Sequence, residues 1–196
     1  MKKKILFFAL SVFFIASLFE SCVSFGRPHK TVSRKLRAHG VMTQTELFDF
    51  FMQENPDADK SEVMKIAGLY ISEAADEGIN SDFAFVQMCL ETGFLRFGGL
   101  VTPDMHNYCG LGSIDPSQTG ASFETMELGV RAHIQHLQAY ATTQEVELVH
   151  ELVDPRYGWV HKAYLIEDIN GLAGKWATDP LYSQKLETLI SRLEIL

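Results

Sequence analysis

A glutamate set at the end of an apolar helix has the chemistry of a general acid, and Glu91 holds that position in the stretch Gln87-Met88-Cys89-Leu90-Glu91-Thr92-Gly93-Phe94. Phe83, Val86, Leu90 and Phe94 recur at helical spacing and make an apolar stripe. Asn80-Ser81-Asp82 supplies N-cap candidates and Gly93 a stop. Glu91 then lies beside the stripe, one turn after Gln87. Loss of water around a carboxyl disfavours its charged form and raises its pKa. The negative end of the helix dipole pushes the same way. A carboxylic acid kept protonated near neutrality is what protonating a glycosidic oxygen requires. The plainer alternative is a solvated Glu near a helix end.

The sequence downstream weighs on that choice. Phe97-Gly98-Gly99 follows the helix, then Asn107-Tyr108-Cys109-Gly110-Leu111-Gly112, then Leu172-Ala173-Gly174-Lys175-Trp176-Ala177-Thr178-Asp179-Pro180-Leu181-Tyr182. This order of segments resembles the bacterial glucosaminidase family, the endo-β-N-acetylglucosaminidase domain of peptidoglycan hydrolases and flagellar muramidase-like proteins. The resemblance covers roughly residues 43 to 196. It implies a mainly α, lysozyme-like helical domain with a long loop or small β-lobe over the cleft. It also implies Glu91 as the catalytic acid, no cofactor and no metal, and peptidoglycan glycan strands as the partner.

Glycoside hydrolysis usually needs a second carboxylate, about 5 Å away for retention or 6.5 to 9.5 Å for inversion. Asp104, Asp115 and Glu124 are the candidates in or just after the long loop. Glu124 has the spacing that the resemblance implies, although Ser122-Phe123-Glu124 also reads as a helix start, where Glu is favoured anyway. Substrate assistance is a third route, in which the 2-acetamido group of GlcNAc is the nucleophile and one acid suffices. Phe94, Asn107, Tyr108 and Gly110 are expected to face the substrate. An Asn amide can donate to and accept from a sugar amide, and Gly permits close backbone approach. Ordinary turn chemistry is the alternative for the Asn and the Gly. Trp176 and Tyr182 flank a turn from which an aromatic face can stack on a pyranose and a phenol can bond a sugar. Burial of both in the core is the alternative.

His133 and His136 stand three apart on a helix, half of a metal site, but no further ligand falls at an expected spacing and HExxH is absent. They read as ordinary helix-face histidines. Cys89 and Cys109 are expected to lie close together, as a disulfide or as two thiols. Cys89 as a nucleophile is disfavoured by its apolar surroundings.

The elements that position these residues follow from local signals. Residues 1–21 read as a signal peptide: Lys2-Lys3-Lys4, then a nearly unbroken apolar run from Ile5 to Phe19. Leu18-Phe19-Glu20-Ser21-Cys22 resembles a relaxed lipobox, so Cys22 is the expected lipidation site and the cell envelope the expected location. Residues 22–42 read as a basic tether, which would be drawn to anionic head groups or serve as a plain spacer. Residues 43–196 form the domain. From Val41 onward 9 basic residues face 24 acidic ones, a balance near −15 that repels nucleic acid. Thr43-Gln44-Thr45-Glu46 is a capping box opening a first helix that Asn55-Pro56 stops. Ser61 to Asp76 is a second helix ended by Gly78, and the Glu91 helix is third. Residues 97–122 are loop, with room for a short hairpin. Ser122 or Thr125 opens a fourth helix reaching about Tyr140. Glu145 to Leu152, Glu167 to Ala177 and Pro180 to Leu193 are expected as further helices.

The expectation for function is an exported peptidoglycan hydrolase that cleaves the β-1,4 bond after N-acetylglucosamine, held to the membrane by a lipid. Two alternatives stand beside it: a lytic transglycosylase of the same fold, and a cell-wall-binding module without turnover.

Overall fold

The computed structural model describes residues 29–196. The signal peptide and the lipidation site Cys22 lie outside the described residues. Six helices order the chain: α1 (Gln44–Glu54), α2 (Lys60–Glu77), α3 (Ser81–Thr92), α4 (Met126–Ala141), α5 (Tyr157–Ala163) and α6 (Tyr182–Glu194). Single-turn 3-10 segments occupy Pro103–Met105 and Ile169–Leu172. Among the described residues there are isolated bridges but no sheet. The small β-lobe is therefore absent there, and the long loop stands in its place.

The first three helices form where their caps direct them. The Thr43 hydroxyl accepts from the Glu46 N–H, and the Glu46 carboxylate reaches back to the Thr43 N–H at 2.7 Å. Asp59 caps α2, and Asn80 caps α3 by accepting from the Asp82 and Phe83 N–H groups. α3 is the centre of the fold. Every residue from Ser81 to Cys89 is buried, because α3 is packed by α1, α2, α4 and α6 together. A helix apolar on nearly all sides requires such a surround. α3 ends at Gly93 in the left-handed region (φ 58°), and the Phe94 N–H bonds the Cys89 carbonyl at 2.7 Å.

The stretch read as tether belongs in part to the domain. Val32 and Leu36 are buried among core side chains. The Val32 N–H donates to Glu194 at 2.7 Å, and the Arg34 guanidinium bridges Glu187 and Glu194 of α6. The Asn80 amide donates to the Ser33 carbonyl at 2.7 Å. Two apolar anchors four residues apart, with a cation matched to two α6 carboxylates, turn this segment into a strap across the α3 N-terminus. Two of its cations, Lys30 and Arg34, are paired with carboxylates of the domain.

Two expected helices are absent. Residues 145–152 run without regular structure, and their apolar Val149 and Leu152 are exposed. Their backbone is held from α4 instead. Gln135 donates to the Glu151 carbonyl at 3.0 Å and accepts from the Val153 N–H at 2.8 Å. The helix forms later, as α5, beyond Pro155. Residues 167–177 make only one 3-10 turn and then a tight loop closed by Gly174 N–H to Ala177 C=O at 2.7 Å. Gly171 and Gly174 weaken a helix there. The loop carries Trp176 to the C-terminal end of α3.

Candidate active site

Glu91 sits in the last turn of α3, partly buried beside the fully buried residues of that helix. Trp176 Nε1–H donates to Glu91 Oε1 at 2.8 Å, and the Tyr182 hydroxyl donates to the same oxygen. Burial pushes the Glu91 carboxyl above its ordinary range, while the Tyr182 and Trp176 donors pull it back. The outcome is a raised pKa. Since Oε1 already accepts twice, a proton on this carboxyl resides on Oε2.

Behind the carboxyl runs a chain of buried polar side chains from four elements. Gln87, one turn earlier on α3, donates from Nε2 to the Tyr182 hydroxyl at 2.8 Å. His133 Nε2 meets Gln87 Oε1 at 3.1 Å, and His133 Nδ1 meets the Tyr70 hydroxyl at 2.8 Å. Gln87 and His133 are fully buried. Burial holds His133 down to about 3, so it is neutral at physiological pH. A neutral ring has one donor nitrogen and one acceptor. With Gln87 Oε1 as acceptor, the proton sits on Nε2 and Nδ1 accepts from Tyr70. The donors then point one way: Tyr70 to His133, His133 to Gln87, Gln87 to Tyr182, Tyr182 to Glu91. Every member is satisfied, which is the condition under which a buried polar network rigidifies its surroundings.

The backbone beyond Gly93 is strained. Phe94, Leu95 and Phe97 have φ of 57°, 58° and 52°. Such residues persist only where neighbours over-determine them. Here Asn55 donates to the Phe94 carbonyl at 2.8 Å and Thr92 Oγ1 accepts from the Leu95 N–H at 2.9 Å. The Phe94 ring packs on Phe50 and Phe51, with centroids 5.8 and 5.5 Å away. Phe94 thus anchors the α3 terminus to α1.

The other expected site residues divide. Trp176 and Tyr182 touch the acid directly. Asn107 does not reach outward: its amide donates to the Leu111 and Ala121 carbonyls and accepts from the Leu111 N–H, all at 2.9–3.0 Å. It braces the loop. Tyr108 is buried in the core. Gly110 lines a cavity of about 180 Å³ that also takes in His136, Tyr140, Arg156, Trp159, Lys175 and Trp176. The loop crosses α4 closely, for a Cβ on Gly129 would lie 1.8 Å from the His106 carbonyl oxygen. A larger hollow of about 570 Å³, bordered by Lys35, Arg37, Thr142 and Glu167, shares no lining residue with this site.

The second-carboxylate candidates lie apart from this network. Glu124 is exposed, one residue before the Thr125 cap of α4. Asp115 accepts from the Ser117 hydroxyl and N–H in its own turn, which holds its pKa below the usual range. Asp104 is likewise exposed and held low by Thr102. Cys89 and Cys109 are free, buried thiols whose pKa burial raises. His136 Nδ1 pairs with the buried Asp154 at 2.8 Å.

Sequence reasoning missed Gln87, His133 and Tyr70 as one network. A signal existed in that Gln87 is a polar residue between the apolar Phe83 and Leu90 of α3, but its pairing with His133 is tertiary.

Comparison with known proteins identifies a family. The glucosaminidase model, described as mannosyl-glycoprotein endo-β-N-acetylglucosaminidase, matches residues 67–195, which takes in α3, the loop, α4 and the Trp176–Tyr182 segment. An uncharacterized protein of Borreliella burgdorferi is 39% identical over 158 residues, spanning 81% of this chain and 76% of that one. No solved structure matches. The chain belongs to the glucosaminidase family, a family of glycan hydrolases.

Proposed function

We propose that this protein hydrolyses the β-1,4 bond after N-acetylglucosamine in peptidoglycan, with Glu91 as the general acid. The observation that carries the reading is the Glu91 carboxyl itself, raised in pKa by burial while two donors fix one of its oxygens. In the first step the bond from the GlcNAc anomeric carbon to the leaving oxygen breaks. The electron pair goes to that oxygen, and the proton on Glu91 Oε2 follows it. The Glu91 carboxylate that remains is stabilised by Trp176 and Tyr182. In the second step it takes a proton from water as that water adds to the anomeric carbon, which restores the acid.

One prepared acid supports a mechanism in which the substrate's own 2-acetamido oxygen covers the anomeric carbon between the two steps. The exposure of Glu124, Asp104 and Asp115 favours that version over a two-carboxylate one. The export signal and Ser21-Cys22 support delivery to the cell envelope on a lipid anchor.

The test is product analysis on purified peptidoglycan. Borohydride reduction after digestion should convert new ends to glucosaminitol, since the new reducing sugar is GlcNAc. New muramicitol ends would mean the other glycosidic bond is cut, and anhydro-muramic ends would mean a transglycosylase. Either would contradict the reading.

A further inference from the structure

We infer that the cavity beside the acid is a subsite for a carboxylate-bearing sugar, in which Arg156 and Lys175 take the carboxylate and Trp159 and Trp176 flank the ring. The inference rests on the proposed function for the identity of the glycan, and adds which of its groups is recognised.

The charge pattern is the first ground. The domain is strongly acidic, and Lys30, Arg34, Arg131, Lys185 and Arg192 each hold a carboxylate. Arg156 and Lys175 hold none among the described residues, and neither do Lys35 and Arg37 at the larger hollow, but Arg156 and Lys175 are the cations that line the cavity of about 180 Å³ beside the acid. Each lies over an aromatic ring instead: Arg156 over Trp159 at 5.2 Å, Lys175 over Tyr164 at 5.4 Å. A guanidinium on an aromatic face is fixed in direction and keeps its N–H fork for a ligand. The nearby carboxylate, Asp154, is already spent on His136 Nδ1 and the Arg156 backbone N–H.

Position is the second ground. Trp176 is the partition between cavity and acid. Its indole N–H holds Glu91, while its ring packs on His136 at 5.2 Å and Tyr140 at 5.5 Å. The Trp159 side chain is exposed although large and apolar, as a sugar platform must be. A glycan threaded past Glu91 therefore has its neighbouring residue against two unpaired cations. A neutral polymer of GlcNAc offers those cations hydroxyl and amide oxygens but no opposite charge. A sugar bearing a lactyl carboxylate, or a peptide carboxylate attached through it, does.

Binding to the full-length Glu91→Gln chain, read by tryptophan quenching within seconds of mixing, tests this. The probes are the disaccharide GlcNAc-β-1,4-MurNAc, its methyl ester, and the disaccharide with an attached stem peptide. The free acid should bind at least about tenfold tighter than the ester, the worth of one charge-assisted bond. Tight binding of the peptide form in turn assigns the carboxylate to the peptide, and weak binding assigns it to the lactyl group; both support a carboxylate subsite. Arg156→Gln with Lys175→Gln should collapse the acid-to-ester ratio toward one, while Arg156→Lys keeps most of it. Equal affinity for the acid, the ester and the peptide form, which needs no further variant to read, overturns the inference. Cleavage of the probe by Glu91→Gln is a separate result. It strikes the acid assignment and leaves the affinity ratio standing.

Discussion

The surroundings of Glu91 and the long loop after α3 are built in opposite ways. Behind Glu91, polar side chains from α2, α3, α4 and α6 are buried, paired in sequence and aimed at one carboxyl oxygen. In residues 97–125, by contrast, the carboxylates face solvent or cap their own turns. A buried, hydrogen-bonded chain costs stability if any member is lost, so it persists where it does something for its terminus. The exposed carboxylates carry no such commitment. The contrast points to a catalyst with one prepared group, which leaves the second chemical role to the substrate.

Four results would break or sharpen that contrast. The largest effect is expected on the prepared side. Tyr182→Phe removes a donor from Glu91 and the acceptor of Gln87, and should lower kcat by about 10²-fold, in the range for a single catalytic donor. Gln87→Met should cost less, about tenfold in kcat, together with roughly 1–3 kcal/mol of stability for the orphaned partners, measured by denaturant unfolding. If only stability falls, the chain is a core feature and not a positioning one.

On the other side, Glu124→Gln, Asp104→Asn and Asp115→Asn should each stay within about threefold of wild-type turnover, as surface changes do. A hundredfold loss in Glu124→Gln would restore the two-carboxylate mechanism. The smallest effect is on stability against pH. Folding raises the Glu91 pKa, so the folded state holds that proton more tightly than the unfolded chain. Stability from this group is therefore full below the ordinary carboxyl range and is lost as pH rises through the raised value. Glu91→Gln should raise Tm at neutral pH and lose that advantage as pH falls into the ordinary carboxyl range. A constant difference across pH would show that burial does not shift this group.

What was legible in the sequence was what is local. Thr43, Asn80 and Gly93 fix their helix ends through bonds within a few residues, so α1 to α3 could be read from spacing. The same logic failed at residues 145–152, where Val146, Leu148 and Val149 suggest a helix face but Gln135 of α4 takes the backbone bonds. It failed again at 167–177, where a tight loop closed by Gly174 N–H to Ala177 C=O replaces the helix and Trp176 reaches Glu91. Asn107 was the right residue to notice, but its three bonds turn inward and make the loop instead of meeting a sugar. Gln87 stood in the first stretch read, one turn from the acid. Its role depends on His133, 46 positions later, and on Tyr182, 95 positions later, and no periodicity encodes such partners.

The central claim is that Glu91 donates the proton to the leaving sugar oxygen, and single-turnover cleavage of a GlcNAc–MurNAc oligosaccharide by the Glu91→Gln chain tests it most directly. Glutamine keeps the acceptor for Trp176 and Tyr182 but cannot act as the acid. The account predicts a loss of at least about 10²-fold in a folded protein, the lower end of what general-acid catalysis contributes. In the wild type, the rate should fall as pH rises through the raised Glu91 pKa, because only the protonated form donates. Near-wild-type cleavage by folded Glu91→Gln would contradict the account.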